Sequence, residues 1–279
     1  MSLYLNINFL PQSFPKALAL WELADLSNGL IQHEQLTKLV NINKGTTIKV
    51  ENFIKSKAKD IKKSDIFSIT HPSPDINIQG THYIKFGHLS DWRIDQLIIK
   101  GFDNLIRARD TWWKPLLNHP NFLMARLMDQ DYNTKQNDDS VWGYELSGWS
   151  HEYLPKIGNG LPPPLDETII DTRVNPGHWR FKHGYIEGVA AQMWLGDAFF
   201  KAVNLEKSAL NGVPWLEVNE LANGVVHLKA YDTEFNSDQG EQRELQIKLR
   251  KLLFSHSTYT DDADFKLLQE FNPVSSIQK

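Results

Sequence analysis

LYLNINFL, the stretch from Leu3 to Leu10, decides the fold class of this chain. Apolar residues alternate there with more polar ones, the first set being Leu3, Leu5, Ile7 and Phe9 and the second Tyr4, Asn6 and Asn8. A period of two is typical of a β-strand with one buried and one polar face. Pro11 ends the pattern. The stretch therefore predicts a half-buried strand at the start of a sheet.

Helix signals follow this strand. Ser13 and Pro15 are residues that start helices, and apolar side chains then recur at helical spacing as far as Ala24. Asn28-Gly29 is expected to end this helix in the left-handed conformation. The lysine-rich stretch from Thr46 to Thr70 predicts one or two edge strands. Within it, KSKAKDIKK (Lys55–Lys63) is interpreted as a solvated face rather than an anion-binding patch.

The most regular helical pattern of the chain begins near Ser90-Asp91. Apolar or small residues recur there at the spacing of one helix face, at Ile94, Leu97, Ile98, Gly101, Phe102 and Leu105. We expect an amphipathic helix that ends or kinks near Pro115. Two later stretches have no period and predict irregular loops: the acidic segment 129–140 (DQDYNTKQNDDS) and the Gly- and Pro-rich segment 156–166.

The C-terminal part contains further strands and helices. GVAAQMWLG (188–196) and GVVHLKAYDTEF (224–235) predict strands, and a short helix is expected through Phe199, Phe200 and Val203. The leucines between Leu245 and Leu253 predict an amphipathic helix. Because strands and helices do not alternate regularly, the fold class is α+β, with one mixed or antiparallel β-sheet and amphipathic helices packed on it. We expect a single domain over residues 1–260 and a loosely held tail over 261–279.

Composition limits the possible functions. The chain has 279 residues, 41% of them hydrophobic and 23% charged, which is typical of a soluble globular protein. A net charge of −4 argues against a nucleic-acid partner but allows a basic protein partner. The absence of cysteine excludes disulfides and thiol chemistry. No apolar run is long enough to span a membrane, and the first residues do not form a signal peptide, so a cytoplasmic protein is expected.

SGWSHEYLP (147–155) raises the possibility of a nucleophilic serine. A nucleophile elbow needs a small residue two positions before and two positions after the serine, and a helix after it. Gly148 satisfies the first requirement, but Glu152 occupies the second position, and Pro155 with the following glycines prevents a helix. The stretch is therefore interpreted as a surface turn around Ser150.

His178, His183 and Glu187 could in principle form a metal site. Histidines that bind a metal from one helix are four residues apart, whereas these are five apart, with Gly184 between them and Glu187. A spacing of five places the rings on different faces of either a helix or a strand. We therefore predict no metal site, and the sequence shows no phosphate-binding or dinucleotide-binding motif, so no cofactor is predicted.

GVPWLEVNELANGVVHLKAYDTEFNSDQGEQRELQIKLRKLLF (212–254) resembles the end of the immunity protein 52 family of bacterial polymorphic-toxin systems. The resemblance rests on Gly224-Val225-Val226, on the Asp232-to-Phe235 segment and on the leucines of the final helix, and the strand followed by FPKALALWELADL is similar to the start of the family. It covers about a third of the chain. It implies a cytoplasmic antitoxin without catalytic activity that binds one toxin domain, often a nuclease, and masks its active site or blocks its motion.

A toxin-binding surface is expected at the acidic segment and the turn after it. The candidate residues are Asp129, Asp131, Tyr132, Asp138, Asp139, Trp142, Trp149 and Glu152. A merely solvated acidic loop is the alternative. Two other functions stay open: an enzyme, a hydrolase or transferase, that uses His151, Glu152, His178, His183 or Glu187, and an adaptor protein of a secretion apparatus. The sequence leaves the oligomeric state, the toxin and the affinity open.

Overall fold

Ten antiparallel strands form one open sheet in the structure, which is a computed structural model describing residues 2–11, 24–42, 44–53, 66–108, 112–258, 262–271 and 273. The spatial order of the strands is β13-β14-β12-β7-β1-β6-β5-β4-β2-β3. Two small hairpins, β8–β9 and β10–β11, stand apart from this sheet. Helices pack on the sheet, which confirms the predicted α+β class.

The strands are β1 (Leu3–Phe9), β2 (Lys38–Asn41), β3 (Thr46–Lys49), β4 (Ile66–Thr70), β5 (Tyr83–Leu89), β6 (Ile94–Lys100), β7 (Phe122–Asp129), β8 (Lys156–Gly158), β9 (Thr168–Ile170), β10 (Arg180–Lys182), β11 (Tyr185–Glu187), β12 (Gln192–Leu195), β13 (Glu217–Glu220) and β14 (Val226–Lys229). The described α-helices are α1 (Leu26–Glu34), α2 (Ile76–Thr81), α3 (Asp103–Arg107), α4 (Lys114–Leu117), α5 (Gln130–Asn137), α6 (Val141–Leu146), α7 (Asp197–Val203), α8 (Gly240–Phe254) and α9 (Asp262–Glu270).

Strand β1 lies inside the sheet, paired with β6 on one side and β7 on the other. The prediction of a strand is confirmed, but the prediction of a polar, exposed face is wrong. All seven residues of β1 are buried, because a hydrophobic core covers each face of the sheet. Leu5 and Ile7 belong to the first core, with α1 and α3, and Tyr4 belongs to the second, with α7 and α8.

The polar side chains of β1 are satisfied by a row of hydrogen bonds under the second core. Asn6 donates to the Tyr4 hydroxyl at 3.4 Å, and Asn8 donates to the Asn6 carbonyl oxygen. Gln96 of the neighbouring strand donates to Asn8 Oδ1 at 3.3 Å. Buried amides are tolerated when they bond to one another. The asparagines that suggested an exposed face are therefore parts of the interior.

The helix predicted from Ser90-Asp91 is wrong. Ile94–Lys100, the centre of the predicted segment, forms strand β6, and α-helix begins only at Asp103, in α3 (Asp103–Arg107). A strand buried on both faces has apolar residues on both, so its pattern includes the i, i+3 and i+4 positions of a helix. Gly101 then ends the strand with φ +75°, and a Cβ there would lie 2.6 Å from the Thr81 carbonyl oxygen.

The C-terminal strand and helix predictions are confirmed by β12, α7, β14 and α8. Within the predicted tail, residues 262–270 form α9, whose Leu268 is buried. The edge strand expected from the lysine-rich stretch is β3, while Lys55–Lys63 lies outside the described residues. The helix predicted from Ser13 lies outside them as far as residue 23, and Asn28-Gly29, expected to end it, lies inside α1.

Ile7→Ala should strongly destabilise the protein, because Ile7 is 0% exposed in the core under the central strand. We expect a loss of about 2–5 kcal/mol in the free energy of unfolding. The matched control is Ile42→Ala, since Ile42 is 47% exposed, and we expect a change within about 0.5 kcal/mol there. Urea unfolding followed by tryptophan fluorescence measures both. Equal losses in the two variants would contradict the central position of β1.

Candidate functional site

Residues 138–176 form a small unit with its own core. Tyr144, Leu154, Ile170 and Val174 are buried together there, apart from the two cores of the sheet. Two backbone bonds tie the unit together: Ile170 N–H donates to Asp139 O at 2.8 Å, and Asp171 N–H donates to Pro155 O at 2.9 Å. Helix α6 and the β8–β9 hairpin are built on this core.

Helix α6 has a well-defined start. Ser140 caps it by accepting from Gly143 N–H at 3.0 Å, and Asp138 Oδ1 accepts from Ser140 N–H at 2.9 Å. A Cβ at position 143 would lie 2.4 Å from Asp138 Oδ2, so a larger residue there would displace that carboxylate. The orientation of α6 is thus fixed by its N-terminus.

Five large apolar side chains of this unit are exposed to solvent. On α6, Trp142 is 68% and Leu146 is 67% exposed, and their spacing of four places them on one face. In the β8–β9 hairpin, Ile157 is 39%, Leu161 53% and Leu165 63% exposed. Helix α6 and strand β9 are in contact. Groups of exposed apolar residues with a polar rim mark interaction sites in soluble proteins.

The hairpin loop is held by its own hydrogen bonds. Asn159 N–H donates to Glu167 O at 2.9 Å and Asn159 Nδ2 donates to Leu165 O at 2.8 Å. Leu161 N–H donates to Asn159 Oδ1 at 3.0 Å. The segment 156–166, predicted to be irregular, thus begins with the short strand β8 and continues as a bonded loop. Its apolar side chains are presented on an ordered backbone.

Exposed carboxylates occur in the same segment as these apolar residues. They belong to Asp139, Glu145, Glu152, Asp166 and Glu167. A hydrogen bond from the Ser150 hydroxyl, with further bonds from backbone N–H groups, lowers the pKa of Glu152 to about 2, so this carboxyl is ionised at neutral pH. We refer to these carboxylates and the five apolar side chains together as the 139–167 surface.

The segment 129–140, predicted to be an irregular acidic loop, forms helix α5 over Gln130–Asn137, and two of the candidate binding residues in it are buried. Asp129 is buried and caps α5 by accepting from Tyr132 N–H at 2.7 Å. Tyr132 is buried too, and its hydroxyl donates to Gln246 Oε1 at 3.1 Å. Asp131 is exposed in the first turn of α5, where a carboxylate is favourable. The sequence had no helical period here because α5 is polar on most sides.

The other predicted residues lie in the 138–176 unit. Asp139, Trp142 and Glu152 are exposed and belong to the 139–167 surface. Asp138 is half-buried, with its side chain accepting from Ser140 N–H. Trp149 is half-buried with its ring 5.4 Å from that of Tyr144, so it is a packing residue. The exposed apolar residues of the hairpin and Leu146 were not predicted, although three leucines or isoleucines in a Gly- and Pro-rich segment were a usable signal.

The residues considered for catalysis do not form one site. His151 Nε2 lies 3.6 Å from Glu145 Oε1 in the 138–176 unit, and Ser150 Oγ donates to Glu152 at 2.7 Å. His183 is exposed in the β10–β11 turn. His178 and Glu187 lie near each other in a different part of the fold, next to Arg250. Helix α6 precedes Ser150 and an irregular turn follows it, as expected for a surface turn rather than an elbow.

His178 and Glu187 belong to a buried ionic cluster around Arg250. Arg250 Nη1 donates to Glu187 Oε1 at 2.9 Å, and Arg250 Nη2 donates to His178 O. Arg180 pairs with Asp264 at 2.5 Å. Burial, together with the charges of Arg250 and Arg180, lowers the pKa of His178 to about 3, so its ring is neutral at pH 7. The basic members come from separate elements, which is why the sequence did not reveal the cluster.

Comparisons with known proteins do not assign a family. No protein-family model and no curated protein matches the sequence. Among solved structures, the chain is similar to a T6SS protein of Pseudomonas aeruginosa, with 10% identity over 96% of this chain and 80% of that chain and a TM-score of 0.49. At this identity and score, the match assigns neither a family nor a function.

Neither a membrane-spanning helix nor a metal-binding group of side chains is found among the residues that the structure describes. None of the described helices has the length and apolar composition required to cross a membrane. Among the same residues, no three side chains of His, Cys, Asp or Glu are grouped so that they could hold a metal ion.

The stability of the protein should fall between pH 6.5 and 5 because of His178. The pKa of this ring is about 3 in the folded chain and 6.5 when unperturbed. Protonation therefore favours the unfolded chain, and the stabilisation is fully present above pH 6.5 and is lost as the pH falls toward 3. The His178 contribution should change by about 1.4 kcal/mol per pH unit.

His178→Gln should remove the contribution of His178 to the pH dependence of the free energy of unfolding. Urea unfolding at pH 7.0, 6.0 and 5.0 measures it. His183→Gln is the control, because His183 is exposed in a turn and its removal should leave the dependence unchanged. An identical pH dependence for the wild-type chain and His178→Gln would show that His178 is hydrated in solution.

Proposed function

We propose that this chain is an immunity protein that binds a bacterial toxin domain through the 139–167 surface and neutralises it in the cytoplasm. The observation that carries the proposal is the exposure of Trp142 and Leu146 on one face of α6, beside a hairpin with three further exposed apolar residues. The resemblance of residues 212–254 to the immunity protein 52 family supports the same function. In this proposal the chain has no catalytic activity.

The form of the surface favours a protein partner. Tryptophan is enriched among the residues that dominate binding energy, especially at the centre of an interface with a polar rim. Trp142 is exposed, Leu146 lies one turn further along the same helix face, and the exposed carboxylates of Asp139 and Glu145 are close to them in sequence. A hairpin whose loop exposes Leu161 and Leu165 fits a concave region of a partner, such as a substrate cleft.

The charge of the surface favours a basic partner. The charged side chains that define the 139–167 surface are all carboxylates. The whole chain carries a net charge of −4. Toxins that cleave nucleic acids need a basic surface to hold the phosphate backbone. An acidic surface attracts such a domain and competes with its substrate. A nuclease is therefore the toxin class that the charges fit best.

Co-expression with the product of the neighbouring open reading frame, first shown to be toxic when expressed alone, tests the function. We expect the chain to restore growth and to co-purify with the toxin as a stoichiometric complex. Restored growth without a complex would instead indicate an enzyme that reverses the damage. If the toxin still kills in the presence of this chain, the proposal is wrong.

Trp142→Ala should weaken the complex by about 2 kcal/mol or more, roughly 30-fold in Kd, because a central tryptophan loses most of its contacts. Trp92→Ala is the matched control, since Trp92 is 41% exposed but lies outside the 139–167 surface. Isothermal titration calorimetry with the purified toxin domain measures both. A loss of affinity only in the control would place the interface elsewhere.

Reversing charge on the surface should slow association. Asp139→Lys with Glu167→Lys should lower the association rate by about tenfold at low salt, and the effect should shrink as the salt concentration rises. Glu51→Lys with Glu244→Lys changes the net charge equally at exposed positions outside the surface. Stopped-flow fluorescence gives the rates. The assignment fails if both double variants associate at the same rate.

A further inference from the structure

Asn-Gly is a dipeptide prone to spontaneous deamidation, and the chain contains it at residues 28–29, 159–160, 211–212 and 223–224. In this reaction the backbone nitrogen of the glycine attacks the side-chain carbonyl carbon of the asparagine. Glycine favours the attack because it has no side chain to obstruct it and leaves the backbone free to rotate. The asparagine amide and the glycine N–H must be free to approach each other, so the fold decides which pair reacts.

Hydrogen bonds hold two of these pairs through one of the reacting groups. Gly29 N–H donates to Asp25 O at 3.0 Å inside helix α1. Asn159 is held at both ends of its side-chain amide. Its Nδ2 donates to Leu165 O at 2.8 Å, and its Oδ1 accepts from Leu161 N–H at 3.0 Å. Either pair has to break these bonds before the glycine nitrogen can reach the amide carbon.

The pair Asn223-Gly224 is held through both reacting groups. Asn223 Nδ2 donates to Leu117 O at 2.9 Å and to Asn118 Oδ1 at 2.8 Å. Gly224 N–H donates to Leu221 O at 2.9 Å. The amide and the attacking nitrogen are therefore fixed separately, and this turn is protected although Asn223 itself is exposed.

Asn211-Gly212 differs from the other three pairs. Both residues are exposed, in a turn between the buried Leu210 and strand β13. Neither the side-chain amide of Asn211 nor the N–H of Gly212 has a hydrogen-bond partner among the described residues. Gly212 has φ +71°, and a Cβ there would meet no atom within 4 Å. Asn211 has ψ 137°, so its Cα–C bond must rotate before the groups meet, and no hydrogen bond of either group opposes that rotation.

We propose that Asn211-Gly212 is a modification site at which the folded chain deamidates to aspartate and isoaspartate. The nitrogen of Gly212 loses its proton and bonds to Cγ of Asn211, and Nδ2 leaves as ammonia, which gives a succinimide ring. Water then opens the ring. Opening at Cγ gives aspartate, and opening at the backbone carbonyl carbon gives isoaspartate, whose main chain runs through Cγ. One water is consumed and one ammonia is released, with no oxidation or reduction.

The modification changes the outer edge of the sheet. It adds one negative charge to a chain whose net charge is −4. The isoaspartate form also adds a methylene to the main chain just before β13, the outermost strand on that side. Asn211 lies outside the 139–167 surface, so this site does not rest on the proposed function.

Peptide mapping by mass spectrometry tests the site in the folded chain, incubated at mildly alkaline pH so that the glycine nitrogen is more readily deprotonated. Asn211 should convert roughly tenfold faster than Asn159 or Asn223, because one hydrogen bond that has to break corresponds to up to about a factor of ten in rate. In guanidinium chloride the protection is lost, and all four pairs should convert at similar rates. Conversion of Asn159 or Asn223 as fast as Asn211 in the folded chain, or no conversion of Asn211, would overturn the proposal.

Asn211→Gln provides a second measurement on the intact chain. Glutamine has to close a larger ring, which forms far more slowly, so this variant should lose the acidic form that the wild-type chain develops with time on anion-exchange chromatography. Asn28→Gln is the matched control, since Asn28 is exposed too but is followed by a glycine whose N–H is bonded. It should develop the acidic form at the wild-type rate. The same rate in Asn211→Gln would show that the reaction occurs at another residue, and the proposal would be wrong.

Discussion

The burial of strand β1 on both faces is the constraint on which the rest of the structure depends. With β6 on one side and β7 on the other, β1 joins the two halves of a ten-stranded sheet. An interior strand needs a layer on each face, since its backbone and side chains are both removed from water. The helices of the two cores supply those layers. Polar residues on β1 can then persist only within a closed set of hydrogen bonds, as Asn6 and Asn8 do.

Helix α8 connects the second core of the sheet to the 138–176 unit. Arg243 donates to the carbonyl oxygens of Val174 at 3.2 Å and Leu268 at 2.9 Å, and so holds the unit and α9 against one helix. Tyr153 of the unit donates to Asp238 at 3.1 Å, just before α8 begins. Buried polar bonds of this kind fix one arrangement of packed segments. The exposed Trp142 is therefore presented on a scaffold with a defined position.

The sequence predicted correctly the elements that have one buried face and one solvated face. Helix α8 has a hydrophobic face and a solvated one, so the leucines from Leu245 to Leu253 were sufficient. Strand β6 has no solvated face, and its apolar residues matched a helix as well as a strand. Helix α5 failed for the opposite reason, because a largely polar helix that starts with a side-chain cap from Asp129 has no apolar stripe. In both failures, contacts with other parts of the chain decided the structure, and a local pattern does not contain that information.

The exposure of the candidate acidic residues likewise depends on contacts that the local sequence does not contain. Acidic residues were taken together because they are adjacent in sequence, whereas the fold buries Asp129 as a cap and exposes Asp139 beside Trp142. In an interface of this composition, charged and apolar residues control different rates. Charges at the rim mainly set the rate of association, whereas desolvated apolar side chains mainly set the rate of dissociation. In the proposed complex, the carboxylates of the 139–167 surface would therefore vary with little loss of affinity, while Trp142 and Leu146 would have to fit one particular partner. Specificity for a single toxin would then reside in α6 and the hairpin tip, on a backbone whose order does not depend on the partner.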